Sequence, residues 1–309
     1  APITLYDTTN QKVTLAAEVK NFDPTKVLDK KEARRMDRFT QFAMYAAAEA
    51  MEDSGLDLEK EDASRIGVSL SSGVGGMETF QNSCEVGNAR GFDKVSPFFI
   101  PMIIANMAAG RVAIRYGLHG MCTCPVTACA GSSNAVGDAF HYIRDGYADA
   151  MVAGGAEATI TSLAIGGFTS MGALTTATDP NRASIPFDKE RSGFVMGEGA
   201  AILVLEELEH AKTRGAKIYG EIVGYGTNCD AYHITAPDPT GDWSAACMRM
   251  ALDDAGIGPE DVDYVNAHGT STPLNESGET VAIRKAFGAH ADKLMVSSTK
   301  SMTGHMLGA

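Results

Sequence analysis

Apolar residues stepping by three and four through residues 31–53, at Met36, Phe39, Ala43, Ala46 or Ala47, and Ala50, predict a helix that Gly55 is placed to close. A short apolar run at 66–70 follows as a strand and ends in Ser-Ser-Gly. The alternation then returns. Residues 148–153, 200–205 and 218–223 read as strands, 140–145 and 208–214 as helical, and 243–255 as an amphipathic helix with Ala246, Met250 and Ala251 on one face. Residues 262–267 and 294–298 are further strands, each running into a loop of small residues. Strands separated by helices predict an α/β architecture. A second lobe starting near residue 213 divides the chain into 1–212 and 213–309.

With 309 residues and 44% hydrophobic content, the chain can bury one large core or two smaller ones. Lysine and arginine number 26 against 39 acidic residues, a formal charge of -13, which is the wrong sign for nucleic acid. The longest apolar stretch, 98–109, is interrupted by Pro101 and Asn106 and falls short of the roughly 20 residues a bilayer requires. Neither nucleic acid nor membrane is an expected partner. Cys84, Cys122, Cys124, Cys129, Cys229 and Cys247 form no C-x-x-C pair and no secreted-type framework, which predicts free thiols in a reducing cytoplasm. No metal site is expected, because there is no H-E-x-x-H pair and Cys122 and Cys124 have no suitably spaced partners. The glycine clusters at 73–76 and 224–227 lack the remainder of a dinucleotide or P-loop pattern and read as turns. The chain opens on Ala1-Pro2-Ile3-Thr4 and stops at Leu307-Gly308-Ala309, where a helix is expected to start, so both ends read as interior to a longer protein.

Candidate chemistry begins at Val126-Thr127-Ala128-Cys129-Ala130-Gly131-Ser132-Ser133, where one cysteine stands among small residues. Behind it Ala135, Val136, Ala139, Phe140 and Ile143 recur at helical spacing. A thiol at the start of that helix is favoured as thiolate, and small neighbours let a carbonyl approach it. A helix end supplies only about 0.3 to 2 kcal/mol, so a base or cation is needed as well. A buried, inert cysteine is the alternative. His268, in Asn266-Ala267-His268-Gly269-Thr270-Ser271-Thr272-Pro273, sits where a strand ends and glycine turns the chain. His305, in Thr299-Lys300-Ser301-Met302-Thr303-Gly304-His305, is expected in the first turn of a helix, whose dipole would keep it neutral and able to donate a hydrogen bond. Lys300 supplies fixed positive charge close by in sequence. A lone lysine or histidine is commonly structural, and His119, His141, His210, His233 and His290 show no comparable setting.

Together, Val-Thr-Ala-Cys129-Ala, Asn-Ala-His268-Gly-Thr-Ser-Thr-Pro and Ser-Ser-Thr-Lys300-Ser-Met-Thr-Gly-His305 resemble the β-ketoacyl-[acyl-carrier-protein] synthases, the condensing enzymes of fatty acid synthesis. Further stretches point to the type II branch: Lys30-Lys31-Glu32-Ala33-Arg34-Arg35-Met36-Asp37, Ser96-Pro97-Phe98-Phe99-Ile100-Pro101, Val152-Ala153-Gly154-Gly155-Ala156-Glu157, and Phe187-Asp188-Lys189-Glu190-Arg191. The resemblance implies a thiolase-like fold of two similar halves in αβαβα layers, a homodimer in the cytoplasm, and acyl carrier protein as partner. It implies an acyltransferase that moves an acyl chain onto Cys129 and condenses it with decarboxylating malonyl-acyl carrier protein, giving a 3-oxoacyl product. His268 and His305 would hold the enolate oxygen. No cofactor is implied beyond the phosphopantetheine arm that substrates carry. Thr270 and Thr272 would bind that arm, Ile104 and Phe168 would gate and line the acyl pocket, and the basic patch of Lys31, Arg34 and Arg35 would dock the acidic carrier. The resemblance further implies an opening strand before Ala1 and, past Ala309, a glutamate and a glycine-rich closing loop. A thiolase would need a second cysteine as base, a chain-length subunit would usually lack the nucleophile, and a cysteine hydrolase would explain neither the second histidine nor Lys300.

Overall fold

The computed structural model describes residues 1–309. Helices α1 (Lys30–Ala33) and α2 (Arg38–Ser54) lead to strand β1 (Ile66–Ser71), followed by α3 (Met77–Arg90), α4 (Phe99–Ile103), α5 (Met107–Tyr116) and β2 (Cys122–Thr123). Next come α6 (Gly131–Arg144), β3 (Ala150–Ala158), α7 (Ser162–Ser170), β4 (Glu198–Glu206) and α8 (Leu208–Thr213). The last part holds α9 (Asp242–Ala255), β5 (Tyr264–Asn266), α10 (Pro273–Phe287), β6 (Met295–Ser297) and α11 (Lys300–Thr303). No helix is long and apolar enough to cross a membrane.

Two compact units emerge, each assembled from more than one stretch of chain. One, the thiol unit, comprises Glu18–Ile165, Gly197–Gly220 and Met306–Ala309. The other, the histidine unit, comprises Ala1–Ala17, Gly166–Met196 and Glu221–His305.

The thiol unit is built on a four-stranded sheet of order β2-β1-β3-β4, parallel except where β4 runs antiparallel to β3. All nine residues of β3 are buried. Val152, Ala156 and Ala158 share a core with Phe39, Phe42, Ala43 and Ala47 of α2, whereas Met151 and Ala153 pack with Ala139 and Val136 of α6. Helices thus cover both faces, and the strand shows a continuous run of small apolar residues rather than an alternating one. That composition also explains why only its first half is legible as strand: Gly154, Gly155 and Glu157 have weak strand propensity.

The single helix expected over 31–53 is in fact two. Asp37 has an extended backbone and its carboxylate accepts the N–H of Phe39 at 3.3 Å and of Thr79 at 2.9 Å, so it starts α2 afresh as an N-cap. The apolar spacing runs on across the break because Met36 is buried without being helical. Gly55 closes α2 at φ +60°, a conformation that favours glycine.

In the histidine unit, β5 and β6 form a two-stranded parallel sheet, and Ala245 and Leu252 of α9 pack with Ala282, Ile283, Ala286 and Phe287 of α10. The buried face of α9 is therefore not the expected one. Met250 is exposed, and a Cβ at Gly226 would come within 2.9 Å of Ala251 N, so loop backbone covers that side. Residues 218–223, expected as a strand, are irregular, with Ile218, Tyr219 and Val223 exposed.

Candidate active site

In the thiol unit Cys129 is exposed, in a short 3-10 turn over Ala128–Ala130 that runs straight into α6. Its place at the head of a 14-residue helix is the one the sequence predicts. Ala128 adopts φ +50°, a strained value for a residue with a side chain, at the turn that presents the sulfur. Small residues there are a steric necessity: a Cβ at Gly131 would lie 2.0 Å from Ser71 Oγ.

Beside that helix start is a residue whose role the sequence does not announce. Glu157, fully buried on β3, accepts the N–H of Gly73 at 2.6 Å, the N–H of Gly308 at 3.1 Å and the hydroxyl of Ser72 at 3.1 Å. Burial pushes its carboxyl up, and these donors pull against that shift. The glycines pack so closely that a Cβ at Gly155 would lie 2.3 Å from Gly308 O. The available signal was one acid inside a strand of otherwise small apolar residues.

In the histidine unit His268 leaves the end of β5 in a turn held by buried or half-buried carboxylates. Glu279 accepts the backbone N–H of His268 at 2.6 Å and of Gly269 at 2.9 Å. Glu276 accepts the N–H of Ser271 at 2.7 Å and pairs with Arg191 at 2.9 Å. Arg191 also donates to the carbonyls of Thr272 and Pro273, at 3.0 and 2.7 Å. The turn passes through φ +42° at Gly269 and +68° at Ser271, and these ionic partners hold it there. Thr270 and Thr272 hydrogen-bond to each other through their hydroxyls at 2.9 Å.

His305 is not in the first turn of a helix. It follows the four-residue α11 and the cap Gly304, and it bridges to Met196 with its N–H on Val195 O at 2.7 Å. Its ring meets that of His268 edge-on, centroids 5.5 Å apart at 88°, and that of Phe194 at 5.1 Å. Phe168 packs on the far partner in this stack, 5.7 Å from Phe194. The expected neutrality therefore has a different source. Burial, and then Lys300, lowers His268 to about 4. Burial, then His268 and Lys300, lowers His305 to about 3. Both imidazoles are uncharged at neutral pH, with ring N–H groups to donate.

The other expected residues separate. Ile104, 43% exposed, caps α4 in the thiol unit. Lys31 and Arg34 are exposed at α1, but the Arg35 guanidinium lies over the Phe98 ring at 4.6 Å, so it also packs. None of the six cysteines is in a disulfide.

A sheet clothed by helices, a cysteine heading a helix and a pair of desolvated imidazoles, one in the turn after β5 and one just past α11, are parts of a condensing enzyme. Residues 4–211 match the family description "Beta-ketoacyl synthase, N-terminal domain", and residues 219–309 match "Beta-ketoacyl synthase, C-terminal domain". The 3-oxoacyl-[acyl-carrier-protein] synthase 2 of Staphylococcus aureus is 55% identical over 307 residues, 99% of this chain and 76% of that protein. The protein of the same description from Synechocystis is 53% identical over 308 residues, covering 99% and 74%. Among solved structures, a β-ketoacyl synthase from Burkholderia phymatum superposes with TM-score 0.87 at 35% identity, covering 96% of this chain and 72% of that one. A type II polyketide ketosynthase in complex with its acyl-carrier protein gives TM-score 0.89 at 35% identity, covering 98% and 75%. The chain belongs to the β-ketoacyl synthase family, has its thiolase-like fold, and is an acyltransferase-class condensing enzyme of fatty acid synthesis.

Proposed function

We propose that Cys129 is the nucleophile and that His268 and His305 stabilise the enolate in a decarboxylative condensation on acyl carrier protein. The Cys129 thiolate attacks the carbonyl of an acyl-carrier thioester, the carrier thiol leaves with a proton, and the acyl chain remains on sulfur. Malonyl-carrier protein then breaks its bond to the terminal carboxylate, releases carbon dioxide and leaves an enolate. Two neutral N–H donors favour that charge without carrying a proton that would quench it. The enolate carbon attacks the Cys129 thioester, and collapse of the adduct expels the thiolate and yields the 3-oxoacyl product. Lys300 supplies fixed positive charge and helps keep both rings neutral. The reading requires no cofactor or metal beyond the substrate's own phosphopantetheine arm.

The observation that carries this reading is the buried imidazole pair, edge-to-face at 5.5 Å and lowered to about 4 and about 3. Hydroxyls of Thr270 and Thr272 suit the amides of the pantetheine arm, and Phe168 and Ile104 suit the acyl pocket. The exposed Lys31 and Arg34, with Arg35, give an acidic carrier a basic patch on a chain of charge -13. A cytoplasmic homodimer completes the reading. Incubation with acyl-carrier protein followed by peptide mass spectrometry tests it: the adduct is expected on Cys129 and absent from Cys129→Ala, and an adduct on any other residue overturns the assignment.

A further inference from the structure

We propose that Ser298 is a positioning residue for the condensation, its single hydroxyl fixing His268 and Lys300 with respect to each other; this rests on the catalytic reading above. Ser298 directly follows β6 and is only 6% exposed. Its Oγ donates to the carbonyl oxygen of His268 at 3.3 Å and accepts the amide N–H of Lys300 at 3.3 Å. A hydroxyl can do both at once, since it has one proton to give and lone pairs to receive. The turn that carries His268 is thereby tied to the first residue of α11.

The surroundings are shaped for this contact. A Cβ on Gly269, next to His268, would fall 2.4 Å from Ser298 Cβ and 2.9 Å from its Oγ, so only glycine lets the turn come this close. On the other side Ser184 Oγ donates to the Lys300 carbonyl at 2.6 Å, so serine hydroxyls engage both backbone polar groups of Lys300. Glu279 holds the N–H of His268 at 2.6 Å while Ser298 holds its carbonyl, so the peptide units on both sides of the ring are fixed. At 3.3 Å the two Ser298 bonds add little stability, and what they control is placement. Placement matters here, because a displacement of about 1 Å at a catalytic group can cost about a hundredfold in rate. Ser298 also borders a cavity of about 470 Å³ with Phe187 and Ser301.

The test separates the two half-reactions of the full enzyme in Ser298→Ala and Ser298→Thr: acyl transfer onto Cys129, read by mass spectrometry, and carbon dioxide release from malonyl-carrier protein, read against pH. In Ser298→Ala, carbon dioxide release is expected to fall about tenfold in kcat, with KM and acyl transfer changed less than about twofold. Ser298→Thr keeps the hydroxyl and is expected to recover to within about threefold, and the His268 ring-proton resonance should shift in the alanine variant and return in the threonine one. Where the alanine variant does not fold, Ser298→Cys, which keeps volume and weakens the hydrogen bonds, carries the same expectation. Wild-type decarboxylation in Ser298→Ala (or in Ser298→Cys where the alanine variant does not fold), or loss of both half-reactions in step with thermal stability, overturns the inference. His268→Ala read in parallel distinguishes the levels: retained decarboxylation there overturns the catalytic reading, whereas its loss beside normal Ser298 variants overturns the positioning role alone.

Discussion

In the thiol unit Cys129 is an exposed residue at the head of α6, on a turn where Ala128 is held at φ +50° and any side chain on Gly131 would strike Ser71. In the histidine unit His305 is 3% exposed, and its ring is packed between those of His268 and Phe194. One unit clears space around a group and the other removes space. The difference follows from what each step of a condensation asks. A nucleophile must be reached by a thioester at the end of a long arm, so crowding is fatal and exposure harmless. A donor to an enolate must not be protonated and must act in a medium of low polarity, so burial serves it twice.

The largest effect that can break this contrast is His305→Ala. Decarboxylation of malonyl-carrier protein should fall by about a hundredfold or more while acylation of Cys129 persists, and equal loss of both steps would erase the distinction between the units. Glu157→Gln should come next, because it places an amide donor against the N–H groups of Gly73 and Gly308. About 2 to 4 kcal/mol of stability is expected to be lost in denaturant unfolding, with the imidazole titrations unmoved. Reversing charge at Lys31 and Arg34 should weaken carrier binding about tenfold, most strongly at low salt, and leave small thioester mimics unaffected. Arg35→Glu is expected to add a small stability loss, about 0.5 to 1 kcal/mol, since its guanidinium also rests on Phe98.

The smallest effect sharpens the contrast through pH. His210 in the thiol unit contacts Glu206 at 2.6 Å and Glu61 at 3.0 Å, and its pKa is raised, first by the Glu206 hydrogen bond. Its contribution is therefore full below the ordinary histidine value near 6.5 and is lost as pH rises through the raised value. His268 and His305 behave oppositely. Their lowered values mean that stability is intact above about 6.5 and erodes as pH falls toward about 4 and about 3. Unfolding of His210→Ala against pH should differ from the parent by less than about 1 kcal/mol, and only on the acid side.

The sequence was most readable where a residue's chemistry is carried by its neighbours in the chain. Cys129 among small residues and His268 before a turning glycine stand as expected, and the strands with conventional apolar runs, such as β1, were visible outright. It was least readable where a distant segment decides. His305 is neutral because rings from elsewhere bury it, and no local pattern carries that. Glu157 looks like an interruption of β3 until the amides of Gly73 and Gly308 are brought to it. The break between α1 and α2 hides because the apolar rhythm at Met36 continues while Asp37 ends the helix by capping. Residues 218–223 show the converse: local strand propensity in a segment that is irregular.

The central claim is that the histidine pair works uncharged, and an NMR titration of the two imidazole ring protons in the whole enzyme addresses it most directly. Both rings are expected to remain neutral down to about pH 5 and to titrate near 4 for His268 and near 3 for His305. Titration of either ring at or above about 6.5, the ordinary histidine value, would contradict it.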